Sequence, residues 1–300
     1  MQSSAGWDWI ASTADRNTGL WDRVALEALV ATARMPRRRT KSMKTSIAAA
    51  YRLSDALVST ASIDGRAERG EALRGATLRP SVKINPVLHP SSAADTDGPS
   101  AAAISILLVM RAFDEAHRAV ACTCRVIEAS AAMASPWTVQ LPEVVVGGDD
   151  FGRDKLWWPH NLLPADRDRP HRYHGTFAAY TIHGKTDIER ARKVNATKDF
   201  SFCANVDHSL WPFTVSHQSS TRLRFGIRTL DSFYDEVVGG RVFAVNGVSM
   251  FLEGGNWITT DIFLRYADQP QRYRDEVKLY KTMGINIIRG KGNTHETKFC

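Results

Sequence analysis

The sequence predicts a mainly β chain that changes to a parallel βα arrangement towards its end, and three observations carry that expectation. Short apolar segments at residues 104–112, 120–128, 137–141, 173–182 and 222–227 are separated by turn-forming residues. No long helical period lies between them, a cadence that favours a β-sandwich of immunoglobulin type. Near the end, a hairpin signature is followed by a helical face, a glycine and a continuous apolar strand, which is how a parallel barrel begins.

Taken in order, the chain opens with aromatic and turn-forming residues before Trp21-Asp22-Arg23-Val24-Ala25-Leu26-Glu27-Ala28-Leu29-Val30, whose alternation suits a half-buried strand. From Val30 to about residue 72 the sequence is basic, rich in Ala and Ser and weakly periodic, and it reads as an insertion. Alternation returns from Ala76 to Ile84. The stretch from Pro90 to Ala103, with its small polar residues, Pro and Gly, then reads as a linker. A domain boundary near residue 95 follows, giving expected segments 1–95, 96–229 and 230–300. The run from Ile104 to Ala112 fits a buried strand and a buried helix equally well. Asn246-Gly247 readily takes the positive φ values of a type I′ turn, so residues 241–245 and 248–252 form the expected hairpin. Tyr273, Val277, Tyr280 and Met283 then make one helical face that Gly284 ends, and Ile285 to Arg289 reads as a buried strand.

Composition narrows the function. With 300 residues and 43% hydrophobic content the chain has the material for real cores, and eight Trp suit both sandwich cores and sugar-facing clefts. The net charge of +7 raises the question of nucleic acid. Much of the excess sits in one run, Arg34 to Lys44, with no interleaved aromatics to stack on bases, so a solvated loop and no nucleic-acid partner are expected. No apolar run approaches the ~20 residues that span a bilayer, and the start lacks a secretory signal pattern. No membrane partner is expected, and the compartment stays open. The cysteines at 122, 124, 203 and 300 show no metal spacing, and Cys122 and Cys124 are expected to point to opposite faces of one strand. Neither zinc, a disulfide framework nor a cofactor is signalled. Asn195-Ala196-Thr197 is an acceptor sequence for N-glycosylation if the chain is secreted.

Four separate motifs then carry a family resemblance. Gly6-Trp7-Asp8-Trp9 is followed by Asp15-Arg16-Asn17-Thr18-Gly19-Leu20-Trp21; Leu156-Trp157-Trp158-Pro159 comes next. Phe225-Gly226-Ile227-Arg228 is third, and Phe243-Ala244-Val245-Asn246-Gly247 with Gly254-Gly255-Asn256-Trp257 is fourth. In this order and spacing they resemble glycoside hydrolase family 2, within it the β-mannosidase, mannosylglycoprotein endo-β-mannosidase and exo-β-glucosaminidase branch. The likeness is thin over residues 30–72 and 184–220, which look like insertions or divergent loops.

The resemblance implies a mainly β fold with three parts. Residues 1–95 would be the rear of a jelly-roll-like, sugar-binding β-sandwich, and 96–229 an immunoglobulin-like β-sandwich. Residues 230–300 would be the first βα segment of a truncated (β/α)8 barrel. It implies a retaining glycosidase acting on β-mannosides or β-glucosaminides, which needs two carboxyl groups about 5 Å apart, one as acid and base and one as nucleophile. In the family both are glutamates on later barrel strands, so no catalytic residue is expected in this chain. Glu253, Asp261, Asp235 and Glu236 near the barrel entrance read as solvated or capping residues. The alternative is a non-catalytic carbohydrate-binding or structural β-sandwich protein.

For substrate contact, the resemblance points to Trp7, Asp8 and Trp9 at the mouth of the barrel and to Arg289 at the C-terminal end of a barrel strand. The family's Trp after that Arg is missing, since Gly290-Lys291-Gly292-Asn293 follows. Trp157, Trp158, Asn256 and Trp257 are expected to be structural.

Overall fold

The computed structural model describes residues 50–65, 72–87, 104–129, 135–182, 184–197, 201–205, 207–257 and 270–290. The chain is mainly β with antiparallel sheets, as the sequence predicts. It divides into two compact units: one takes the described residues of Leu29–Trp157 and His171–Thr229, the other those of Trp158–Pro170 and Leu230–Cys300.

The larger unit is built from two four-stranded sheets. In the first, β2 (Gly75–Val87) pairs with β1 (Ala50–Asp64) on one side. On its other side it pairs in succession with β5 (Trp137–Gln140) and β6 (Val144–Gly147). The second runs β4 (Ala119–Ala129), β3 (Ile104–Phe113), β7 (Tyr173–Ile182), β8 (Val215–Phe225), antiparallel throughout. Contacts of β1 with β7 and β8, and of β4 with β6, pack one sheet against the other. On β2 the residues Ala76, Leu78, Val82 and Ile84 are buried, two apart, as a strand with one covered face requires. β3 is central and covered on both faces, so Ile106 to Ala112 is buried without a break. That double burial is why its sequence shows no alternation and left helix and strand undecided.

Two expectations about the first hundred residues need correction. Residues 50–64, read as part of an insertion, form the long strand β1. Its buried positions begin at Tyr51 and Leu53 and resume at Val58, because the register slips between Ser54 and Leu57, where Asp55 takes a φ of 46°. A bulge shifts an alternating pattern by one residue, so no single period runs through the strand. The boundary near residue 95 also falls between strands of one sheet, since β2 bonds β5 and β6 beyond it.

A cap covers the outward face of the second sheet. It comprises α1 (Lys185–Thr197), two 3-10 turns at Ser201–Ala204 and His208–Leu210, and the segment to Phe213. Asn195 falls within α1. Residues 107, 109, 178, 180 and 182 of the sheet meet Ala191, Cys203, Trp211 and Phe213 of the cap in one buried cluster. Cys122 and Cys124 both join it, correcting the expectation of opposite faces. Residues two apart on a strand point the same way.

In the smaller unit, β9 (Leu230–Asp235), β10 (Gly240–Val245) and β11 (Val248–Met250) form an antiparallel sheet. The expected hairpin is present, with Asn246 at φ 50° and Gly247 at φ 79°. β12 (Gly254–Trp257) pairs in parallel with β13 (Ile287–Gly290), and α2 (Pro270–Thr282) lies between them in the chain. Gly284, at φ 84°, follows α2, and Ile285 N donates to Tyr280 O at 3.0 Å, closing the helix as the sequence predicts. Among the described residues, no helix is long and apolar enough to cross a membrane.

Candidate functional site

Parallel strands put their side chains in register, and that places two polar groups at one rim. Asn256 on β12 sits beside Arg289 on β13, and Arg289 Nη1 donates to Asn256 Oδ1 at 3.5 Å. Both residues are exposed and lie at the C-terminal ends of their strands. A long, exposed guanidinium–amide contact leaves most of Arg289's donors facing solvent, where a hydroxylated ligand can accept from them. Arg289 is thus the one sequence-predicted site residue within the described part. Trp7, Asp8 and Trp9 lie outside the described residues, as do Asp261 and the basic run of residues 34–44.

The frame holding that rim is polar. Asn286 Oδ1 accepts from Glu253 N at 3.0 Å, its Nδ2 donates to Phe251 O at 2.8 Å, and its backbone N donates to Glu253 O at 2.9 Å. Asn286 therefore ties the entry of β12 to the entry of β13. The sequence analysis passed over it; the signal was a lone Asn inside an otherwise apolar strand, where an amide needs partners. Trp257 faces α2, its indole Nε1 donating to Glu276 Oε2 at 3.0 Å while its ring meets Tyr273 edge-on at 5.6 Å. It anchors the helix to the parallel pair.

Of the carboxylates near this region, Asp235 accepts from the backbone of Val237 at 2.9 Å and of Val238 at 3.0 Å, so it caps the β9–β10 turn. Glu253 enters the frame through its main chain. Among the described residues, no group of three or more His, Cys, Asp or Glu is placed to hold a metal ion.

In the sandwich unit, two motifs quoted separately in the sequence meet in space. Trp157 N donates to Ile227 O at 2.9 Å, and Arg228 lies over the Trp157 ring with its guanidinium carbon 4.3 Å from the centroid. Burial lowers the pKa of Arg228 from its ordinary value, and the indole face supplies part of the lost solvation. The ring lies directly on Gly226, where an added Cβ would stand 2.5 Å from Trp157 Cβ. The glycine is required by close approach alone. Gly226→Ala is expected to displace Trp157 and cost about 1–3 kcal/mol, read as a fall in the urea midpoint. An unchanged midpoint would mean the ring has another place to go.

A second polar cluster lies under the cap. Tyr180 Oη and His208 Nε2 are 3.0 Å apart, and Arg111 donates from Nε to Cys203 O at 2.5 Å and from Nη2 to Asn205 O at 3.1 Å. Burial, followed by the nearby Arg111 and His217, lowers the pKa of His208. An open cleft of about 400 Å³ beside it is lined by Asp187, Arg190, Trp211 and Phe213 among others. The Asp187 carboxylate is already engaged by Thr214 N at 2.9 Å and Arg190 at 3.2 Å, so the cleft wall is a structural brace.

No family profile matches this sequence. A mannosylglycoprotein endo-beta-mannosidase from Lilium longiflorum is 25% identical over 284 residues, covering 95% of this chain and 22% of that protein. This likeness agrees with the resemblance to glycoside hydrolase family 2 that the four sequence motifs carry. The chain thus spans about a fifth of the length of that curated relative. Solved structures with similar folds include the Amycolatopsis orientalis exo-chitosanase, at 18% identity and TM-score 0.47, covering 82% of this chain and 20% of that one. A glycosyl hydrolase family 2 member from Bacteroides cellulosilyticus aligns at 15% identity and TM-score 0.45, covering 81% of this chain and 24% of its own. The Bacteroides uniformis beta-glucuronidase aligns at 14% identity and TM-score 0.46, covering 82% and 22%.

Proposed function

We propose that this chain supplies the sandwich scaffold and part of the substrate wall of a retaining glycoside hydrolase acting on β-mannosides or β-glucosaminides. The observation that carries the reading is the similarity to the lily endo-beta-mannosidase over 95% of this chain. In it, the unit of β12, α2 and β13 opens the catalytic barrel, and the two sheets from β1 to β8 form the sandwich scaffold. Arg289, with Trp7, Asp8 and Trp9, faces the sugar. A guanidinium donates to hydroxyl oxygens, an aspartate accepts from them, and indole rings cover the apolar face of a pyranose. The acid/base and nucleophile are glutamates on polypeptide beyond residue 300, so this chain positions substrate without breaking the bond.

Two measurements test the reading. The 300-residue chain is expected not to hydrolyse aryl β-mannoside or aryl β-glucosaminide above a buffer blank, and turnover by it would refute the placement of the catalytic pair. In titrations with β-linked manno-oligosaccharide or glucosamine oligomers followed by NMR, Arg289→Ala is expected to weaken binding at least about tenfold, the worth of one charge-assisted hydrogen bond. Absence of any binding at millimolar sugar would favour a purely structural β-sandwich.

A further inference from the structure

Three cysteine side chains that the sequence scatters over residues 122 to 203 converge under the cap. Cys122 and Cys124 stand on the same face of β4, and the turn Ser201–Ala204 lays Cys203 on that face. All three pack in the same cluster, and none of them is in a disulfide. Cys203 and Cys124 are fully buried, whereas Cys122 is only partly buried. Arg111 fixes the turn by donating to the Cys203 carbonyl, and Trp211 packs in the same cluster.

We propose that Cys122 and Cys203 form a redox-controlled disulfide that fastens the cap to the sandwich, with a small-molecule disulfide such as oxidised glutathione as the oxidant. Cys122 is the entry point because it alone of the three is open to solution. Its thiolate attacks one sulfur of the oxidant, giving a mixed disulfide and releasing one thiolate, which takes up the proton Cys122 lost. Cys203 then loses its proton and attacks the Cys122 sulfur, expelling the second thiolate. In sum, two protein thiols become one disulfide and the oxidant becomes two thiols.

The chemistry sets the pace. The hydrogen bond to Cys203, then burial, pushes the Cys122 thiol well above the usual range. At Cys203 the bond from Cys122 lowers the pKa, but the bond to Cys124 and burial outweigh it, and the thiol is pushed up to about 12. Only a thiolate attacks, so the reaction is slow at neutral pH and quickens about tenfold per pH unit towards alkaline conditions.

The test uses the whole chain, incubated with oxidised glutathione at mildly alkaline pH, then denatured, alkylated and mapped by mass spectrometry without reductant. The expected product has two fewer alkylated cysteines and a peptide pair joined through Cys122 and Cys203 that separates on reduction. Cys124→Ser is expected to keep the link, and Cys203→Ser to stop at a glutathione adduct on Cys122. Proteolysis within residues 184–214 should slow by roughly tenfold in the oxidised chain. Four alkylated cysteines after prolonged exposure would overturn the proposal, and so would a link through Cys124 or Cys300. If either variant fails to fold, the map of the unsubstituted chain still decides.

Discussion

Trp211→Ala is expected to cost about 3–5 kcal/mol and to release the cap from the second sheet. The indole is buried in the cluster that joins the cap to the sheet. It meets Tyr180 edge-on at 5.1 Å, Phe202 at 5.3 Å and Phe213 at 6.3 Å, with Arg111 5.7 Å from its centroid. Its Nε1 donates to Asn205 O at 3.1 Å. Alanine removes the ring's buried area, the edge-on pairs worth about 0.5–1.5 kcal/mol each, and one donor. Urea unfolding gives the total loss, and amide exchange over residues 186–213 shows whether that loss is concentrated in the cap. Leu210, two-thirds exposed in the same turn, is the control, and Leu210→Ala should stay within about 0.5 kcal/mol of the parent. A loss under 1 kcal/mol at Trp211 would mean that the cap is held by other contacts.

Gly254→Ala is expected to part β12 from β13. A Cβ at this position would collide with the Ile287 carbonyl oxygen and stand 2.7 Å from Ile287 Cγ2. The first obstacle is main chain, so no rotamer change relieves it and the strands themselves must move. The cost is about 3 kcal/mol or more, at the upper end of overpacking. Amide exchange at residues 255–257 and 288–290 reports the pairing directly. Gly255, its neighbour in the same motif, has nothing within 4 Å of an added Cβ. Gly255→Ala should therefore leave that exchange unchanged, and equal effects at the two positions would contradict the register.

What the sequence made legible follows from where one local interaction decides the structure. Asn246-Gly247 specified its turn because few other residue pairs accept positive φ twice in succession. α2 and its end were legible because one apolar face and one glycine suffice to define them. β1 was illegible for the opposite reason: the bulge at Asp55 changes which residues face inward, and only the partner strand reveals it. The cysteines were misread through an error of parity, although the strand itself, at Ala119–Ala129, was expected nearly in place. For the candidate site, the position of Arg289 at a strand end was readable from the helix, glycine and strand that precede it. Its neighbour Asn256 and the Asn286 clamp were not, because both depend on which residues the parallel ladder brings side by side. The same holds for Trp157 and Gly226, whose motifs were recognised as words while their contact, made across the chain that holds β7, α1 and β8, had no local signal.

The arrangement of β2 bears on how the polypeptide is made. β2 needs β5 and β6 to complete its sheet, and the second sheet is complete only when β8, ending at Phe225, is in place. During synthesis at about 5–20 residues per second, the first two strands must wait on the ribosome with one apolar face uncovered until the later partners emerge. Pairings this distant in the chain form slowly, so a nascent chain stalled before residue 225, where β8 ends, is the form in which holdase chaperones would be most needed.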